Sequence, residues 1–142
     1  LISPDSQRFT EIFPAWMVEG MLAEALSEIK AATDVLWAHA DEPDKYAKAT
    51  FVIIWAHVQD VLSRLEPYSD SSLRPKHAMC RDIALSMQER MEDNNPNEDG
   101  DEFDLAIFAS DVTSFLTAFH LCLHDGTNQK KRKAEYQEFC HA

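Results

Sequence analysis

The chain has 142 residues, 45% of them hydrophobic and 10% aromatic, which is enough to bury one core and too few for a second domain. Its formal net charge of -12 argues against general nucleic-acid binding, because phosphates are gripped by Lys and Arg and an acidic surface repels a polyanion. No apolar run is expected to reach the roughly 18 to 20 residues that span a bilayer, so a soluble protein without membrane attachment is predicted.

Only three glycines occur, at positions 20, 100 and 126, and the Val, Ile and Thr residues fall into patterns of the helical period rather than the strand period. An all-α chain follows. A short leading helix is predicted over 3–13, capped by Ser3, with Pro4 in its first position, Asp5 at the positive end of its dipole and Pro14 ending it. The next, over 15–40, carries Val18, Leu22, Ala25, Ile29, Ala32 and Leu36 at alternating spacings of four and three, a seam on one face. Asp41 to Asp44 make a turn around Pro43, with Asp44 as the expected cap of a helix over 44–66 whose apolar face is Phe51, Ile54, Trp55, Val58, Val61, Leu62 and Leu65.

After the connection PYSDSS over 67–72 comes the least hydrophobic helix, 73–93, with Leu73, Cys80, Ile83, Ala84, Met87 and Met91 on one side. The polar run 94–101 is a loop in which Gly100 is free to take a positive φ. A helix over 102–124 follows, seamed by Leu105, Phe108, Val112, Phe115, Leu116, Phe119 and Leu123 and stopped by Gly126; its aromatics should centre the core. The tail places Tyr136, Phe139 and Cys140 at helical spacing behind the basic run Lys130 to Lys133. The predicted architecture is one domain over 1–142, an antiparallel bundle of four long helices with short N- and C-terminal helices.

Several motifs invite chemistry. A Trp-Ala-His core recurs at Trp37 to His39 and Trp55 to His57. His39 continues the core seam of its helix, but across a short turn the rise per residue sets the two imidazoles about 15 to 20 Å apart, too far to share a metal. The repeat therefore reads as packing, with Trp55 filling the core and Trp37 pointing partly outward, as aromatic anchors of binding surfaces do. His120 and His124, four apart, share one side of a helix, yet two nitrogens do not complete a zinc site, and His124 at the negative helix end suits a partly protonated ring. His124-Asp125 matches the HD dipeptide of the helical metal-dependent phosphohydrolases without that family's further histidine and aspartate. The acidic pairs Glu89 with Glu92 and Glu98 with Asp101 resemble those of helical nucleotide pyrophosphatases but are set too close along the chain to face each other. The loop 95–101 resembles half an EF-hand, with Ala106 where the bidentate Glu belongs. No metal or other cofactor is assigned.

Cys80, Cys122 and Cys140 have no ligand-type spacing and an odd count, which favours reduced thiols and a cytoplasmic setting; Cys80 and Cys122 read as core residues. Because the first residue is Leu1, a removed signal peptide remains an open alternative.

Charge carries the functional expectation. Between Glu89 and Asp111 stand nine carboxylates and one base, Arg90, a density that steers basic partners, with Lys130 to Lys133 as an internal counterweight. The chain is thus expected to be a non-enzymatic acidic binding module of the inhibitor, immunity, anti-activator or adaptor kind, engaging a basic surface of another protein. Its expected contact residues are Trp16, Trp37, Asp93, Glu98, Asp99, Asp101, Glu102 and Asp104. The alternatives are a DNA mimic, a metal-dependent helical enzyme built on His120 and His124, and a homodimer formed through seam-like helix faces.

Overall fold

The computed structural model describes residues 15–39, 41–68, 74–97, 103–124 and 129–141. Within them the chain is helical throughout and contains no strand: α1 (Ala15–Ala38), α2 (Pro43–Leu65) with a 3-10 turn at Glu66–Tyr68, α3 (Pro75–Asp93), α4 (Leu105–His124) and α5 (Gln129–His141). The predicted leading helix over 3–13 lies outside the described residues, as do Leu73, Gly100 and Gly126.

Each element starts where backbone chemistry allows. α2 begins one residue earlier than predicted, because Pro43 occupies a first-turn position that needs no N–H; Glu42 is the residue before it, its side chain makes no capping bond, and Asp44 lies inside the helix instead of capping it. α3 likewise starts on Pro75. α4 starts at Leu105 rather than 102 because Asp104 is its cap: Asp104 Oδ1 accepts from the Ile107 N–H at 3.1 Å. The Asn94 side chain fixes that cap in both directions, Nδ2 donating to the Asp104 carbonyl and Oδ1 accepting from the Asp104 N–H, each at 2.9 Å.

Packing runs α1 on α2, α2 on α3, α3 on α4 and α4 back on α1, while α5 lies across α3 and α4. The shared core takes the predicted seams: Leu22, Ile29, Ile54, Val58, Ile83, Met87, Phe115 and Phe119 are fully buried. At about 1.5–3 kcal/mol for each large apolar side chain removed from water, this core outweighs the exposed ion pairs such as Lys30–Asp34 and Arg64–Asp60, which contribute little. The helix starts and ends are tied by side chains: Arg64 near the end of α2 reaches Met21 in α1, Glu19 early in α1 meets Lys76 and His77 at the start of α3, and Phe51 in α2 packs 5.6 Å from Phe108 in α4.

Three expectations are corrected. Trp55 is only half-buried, stacked on Phe51 at the core's margin, since Phe51, Ile54 and Val58 already occupy the inner face. His39 lies beyond the end of α1 and leaves the core seam; its Nδ1 donates to the Val35 carbonyl at 2.9 Å and its ring stacks on Tyr46, centroids 4.0 Å apart. And one helix among the described residues, Leu105–His124, is long and apolar enough to cross a membrane by length and composition. Its apolar stripe is spent on the protein itself, against α1, α3 and α5, and its Asp111 is paired with Arg90.

Candidate functional site

Two depressions gather the residues singled out in the sequence. The first lies at the end of α3 and the start of α4, where Asp93, Asp104 and Asp111 surround Arg90 and Phe103. It unites two of the predicted contact residues, Asp93 and Asp104, but the carboxylates of Asp104 and of neighbouring Asp111 are already employed. Asp104 caps α4, and Asp111, 13% exposed, receives Arg90 Nη1 at 3.0 Å. Arg90 is further committed: Nη2 donates to the Phe139 carbonyl at 2.7 Å in the last turn of α5, and the guanidinium lies 4.4 Å from the Phe139 ring centroid. A cation at the negative end of a helix and over an aromatic face is favourable on both counts. Asp93 is exposed at the end of α3. Glu98, Asp99, Asp101 and Glu102 lie outside the described residues, as do Asp125 and the Gly100 turn of the half EF-hand.

The second depression is a groove of about 770 Å³ between α1 and α4, closed at one side by Lys131 and Glu135 of α5. It exists because α1 and α4 pack less extensively than any pair of long helices consecutive in the chain. Leu26 and Thr33 line it from α1, Leu116 and Leu121 from α4, and Trp37, 47% exposed, joins from the last turn of α1. The threonine hydroxyls in its walls are satisfied within their own helices, Thr33 donating to Ile29, Thr113 to Ala109 and Thr117 to Thr113. The lining therefore offers mostly apolar surface, with charge at the rim in the Lys30–Asp34 pair.

His120 and His124 stand on the same wall, exposed, with ring centroids 4.7 Å apart. Burial and the neighbouring His120 push the His124 imidazole pKa down, against the partial protonation expected at the helix end. Among the described residues no group of three or more His, Cys, Asp or Glu side chains converges in a way that would hold a metal. Trp16 sits in the first turn of α1, 71% exposed and apart from the groove lining.

A polar cluster unanticipated in the sequence joins α1 to α3. His77 is 1% exposed, its ring edge against fully buried Tyr68 at 4.8 Å, and its Nε2 donates to Glu19 Oε1 at 3.2 Å. Its Nδ1 has no partner among the described residues, which suits the neutral Nε2–H tautomer because protonation would bury a donor without an acceptor. Burial accordingly lowers the imidazole pKa, against the opposing pull of Glu19. Burial disfavours the Glu19 carboxylate, yet hydrogen bonds from Lys76, at 2.6 Å, and from His77 outweigh it and lower its pKa.

Close by, Cys122 Sγ donates to the Lys76 carbonyl at 3.5 Å, and the Cys80 thiol is held well above its ordinary range by its hydrogen bond with Cys122 and by burial. A protonated buried thiol is a packing group rather than a nucleophile. Cys140, half-buried on α5, is also pushed up, to about 11, by burial and by Asp82. Comparison with known proteins finds no matching family profile, no matching curated protein and no matching solved structure.

Proposed function

We propose that this chain is a small acidic binding module, acting by capture rather than catalysis, in the manner of an inhibitor, immunity-type protein, anti-activator or adaptor. Its receptor is the α1–α4 groove, and its partner presents a basic amphipathic helix. The observation that carries this reading is the half-exposed Trp37 at an open, mostly apolar groove. From Ala23 to Trp37 the α1 wall runs about 20 Å, the length of a helical segment of about four turns, and a large aromatic at such a margin is the usual anchor of helix-in-groove recognition. The net charge of -12 selects among such segments, favouring those flanked by Lys and Arg and speeding their approach. Asp93 and the acidic stretch 98–104 act in this scheme as steering charge rather than as the contact itself.

The same reading takes the architecture as an antiparallel bundle of four long helices with α5 as a short terminal helix. It is supported by the contacts that join the start of α1 to the end of α2 and the start of α3.

A fluorescence-anisotropy titration tests the function with two 14-residue helical probes, one of Leu and Lys and one of Leu and Glu in the same amphipathic pattern. The Lys probe is expected to bind and the Glu probe not, with Trp37→Ala weakening the Lys probe about tenfold, equivalent to about 1.4 kcal/mol. Equal binding of both probes, binding of neither, or binding indifferent to Trp37→Ala would overturn the groove as the receptor.

A further inference from the structure

The outward face of α2 is apolar where a surface helix is normally polar. Ala49, Val52, Ile53 and Ala56 recur at the i, i+3, i+4, i+7 spacing of a helix-packing stripe, all four are exposed, and Val52 and Ile53 are 55% and 47% accessible. They are not the inner face of α2, which is Ala47, Phe51, Ile54, Val58, Val61 and Leu65, all buried. α2 thus carries two apolar stripes, and one of them has no partner among the described residues.

The outer stripe is also self-complementary. We infer that it is the contact of a homodimer in which α2 packs against α2 of a second copy, antiparallel about a twofold axis between Val52 and Ile53. In that register Val52 meets Ile53 of the second copy, Ala49 meets its Ala56, and Lys45 meets its Asp60, each contact occurring twice as an isologous interface requires. Large side chains fill the centre, and alanines on both sides let the helix axes approach to about 8 Å, the close end of helix packing. The opposite charges at the two ends lie on the same outward face: Lys45 is 66% and Asp60 46% exposed. Lys45 pairs with Glu42 at 3.9 Å and lies 5.5 Å from the Tyr46 ring centroid, and Asp60 pairs with Arg64 at 3.0 Å, surface contacts that each can share or release.

Complementarity of charge and shape with its own copy selects the occupant. A basic partner would find no run of carboxylates on this stripe, and a parallel pairing would set Lys45 against Lys45. A contact made by one helix per subunit falls below about 1,200 Å², so association is expected at about 10 to 300 μM. Two bodies of charge -12 repel each other, and the dimer is expected to strengthen with added salt, opposite to the trend for the basic partner of the groove. The stripe shares no residue with the groove lining, so this inference stands or falls independently of the proposed function.

Sedimentation equilibrium on the full chain over about 5 to 500 μM, at low and high salt, decides it. Wild type is expected to dimerise, more tightly at high salt. Ile53→Glu should leave a monomer at every concentration, with its circular-dichroism spectrum and melting curve showing that the fold is kept. Lys45→Glu and Asp60→Lys should each weaken the dimer several-fold, and the two combined should restore it. A wild-type chain that stays monomeric throughout, a dimer that survives Ile53→Glu, or a charge exchange that fails to restore association would overturn the proposal.

Discussion

The two flanks of α4 are treated in opposite ways. Toward α3 and α5 the seam is sealed: Phe139 of α5 covers Phe115, Arg90 bridges Asp111 and the Phe139 carbonyl, and Ser86 Oγ donates to the same carbonyl at 3.3 Å. Toward α1 the same helix presents threonines, leucines and two imidazoles to an open groove bordered by a half-exposed Trp. The difference shows how one apolar helix serves both purposes. Where α5 lays an aromatic over a cation that α3 supplies, the flank becomes structure; where α5 brings only Lys131 and Glu135 to the edge, it remains available surface.

Removing the seal should have the largest effect. Phe139→Ala, at a site 3% exposed, is expected to cost about 3–5 kcal/mol in a urea or thermal melt, while leaving the groove residues in place. Arg90→Ala should cost about 2–3 kcal/mol, because it orphans the mostly buried Asp111 and leaves the Phe139 carbonyl with the longer bond from Ser86 in place of its charged donor, and Arg90→Lys should recover only part of this since it lacks the second donor arm.

Acid should then loosen α1, the helix that forms the other wall of the groove. The His77 pKa in the folded chain lies below its ordinary 6.5, so the unfolded chain takes up the proton first; the stabilisation is complete above that value and declines as pH falls beneath it. The Glu19 pKa is also lowered, so its contribution is present above 4.5 and is lost as pH falls through the folded value. Urea midpoints between pH 7.5 and 4 should therefore fall, and His77→Gln should flatten the part of the decline just below 6.5. Trp37→Ala should be the mildest for stability, within about 0.5 kcal/mol as for other exposed sites, while weakening the Lys probe about tenfold. A large loss of stability in that variant would make Trp37 a packing residue and close the contrast between the flanks.

The seams of α1 and α4 could be read directly because one apolar stripe at spacings of four and three has one physical use in a small helical chain. His77 is legible in the same way, standing between Leu73 and Cys80 in the four-three rhythm that continues to Ala84, Met87 and Met91, although a polar side chain in such a stripe does not by itself announce burial. Tyr68 gave a fainter signal as the lone aromatic in a polar connection, and it is fully buried against His77. In α2 the recurrent Trp-Ala-His drew attention from a plainer fact, that Ala49 to Val58 are apolar nearly all the way round, so that reading a single face hid the second stripe. The acidic residues misled for a different reason. Counting carboxylates cannot distinguish a free charge from a cap such as Asp104 or a buried partner such as Asp111.

Helix class, the apolar seams of α1 and α4 and the packing role of Cys80 and Cys122 were settled by the order of residues alone, since periodic burial of apolar side chains is a property of the local chain. Which flank of α4 would be covered, where the groove would open and how Arg90 would be employed were settled only by the way the helices meet. Those outcomes depend on contacts between residues 20 to 60 positions apart, such as Arg90 with Phe139 and Glu19 with His77, and no local pattern encodes which of several equally apolar faces finds a neighbour.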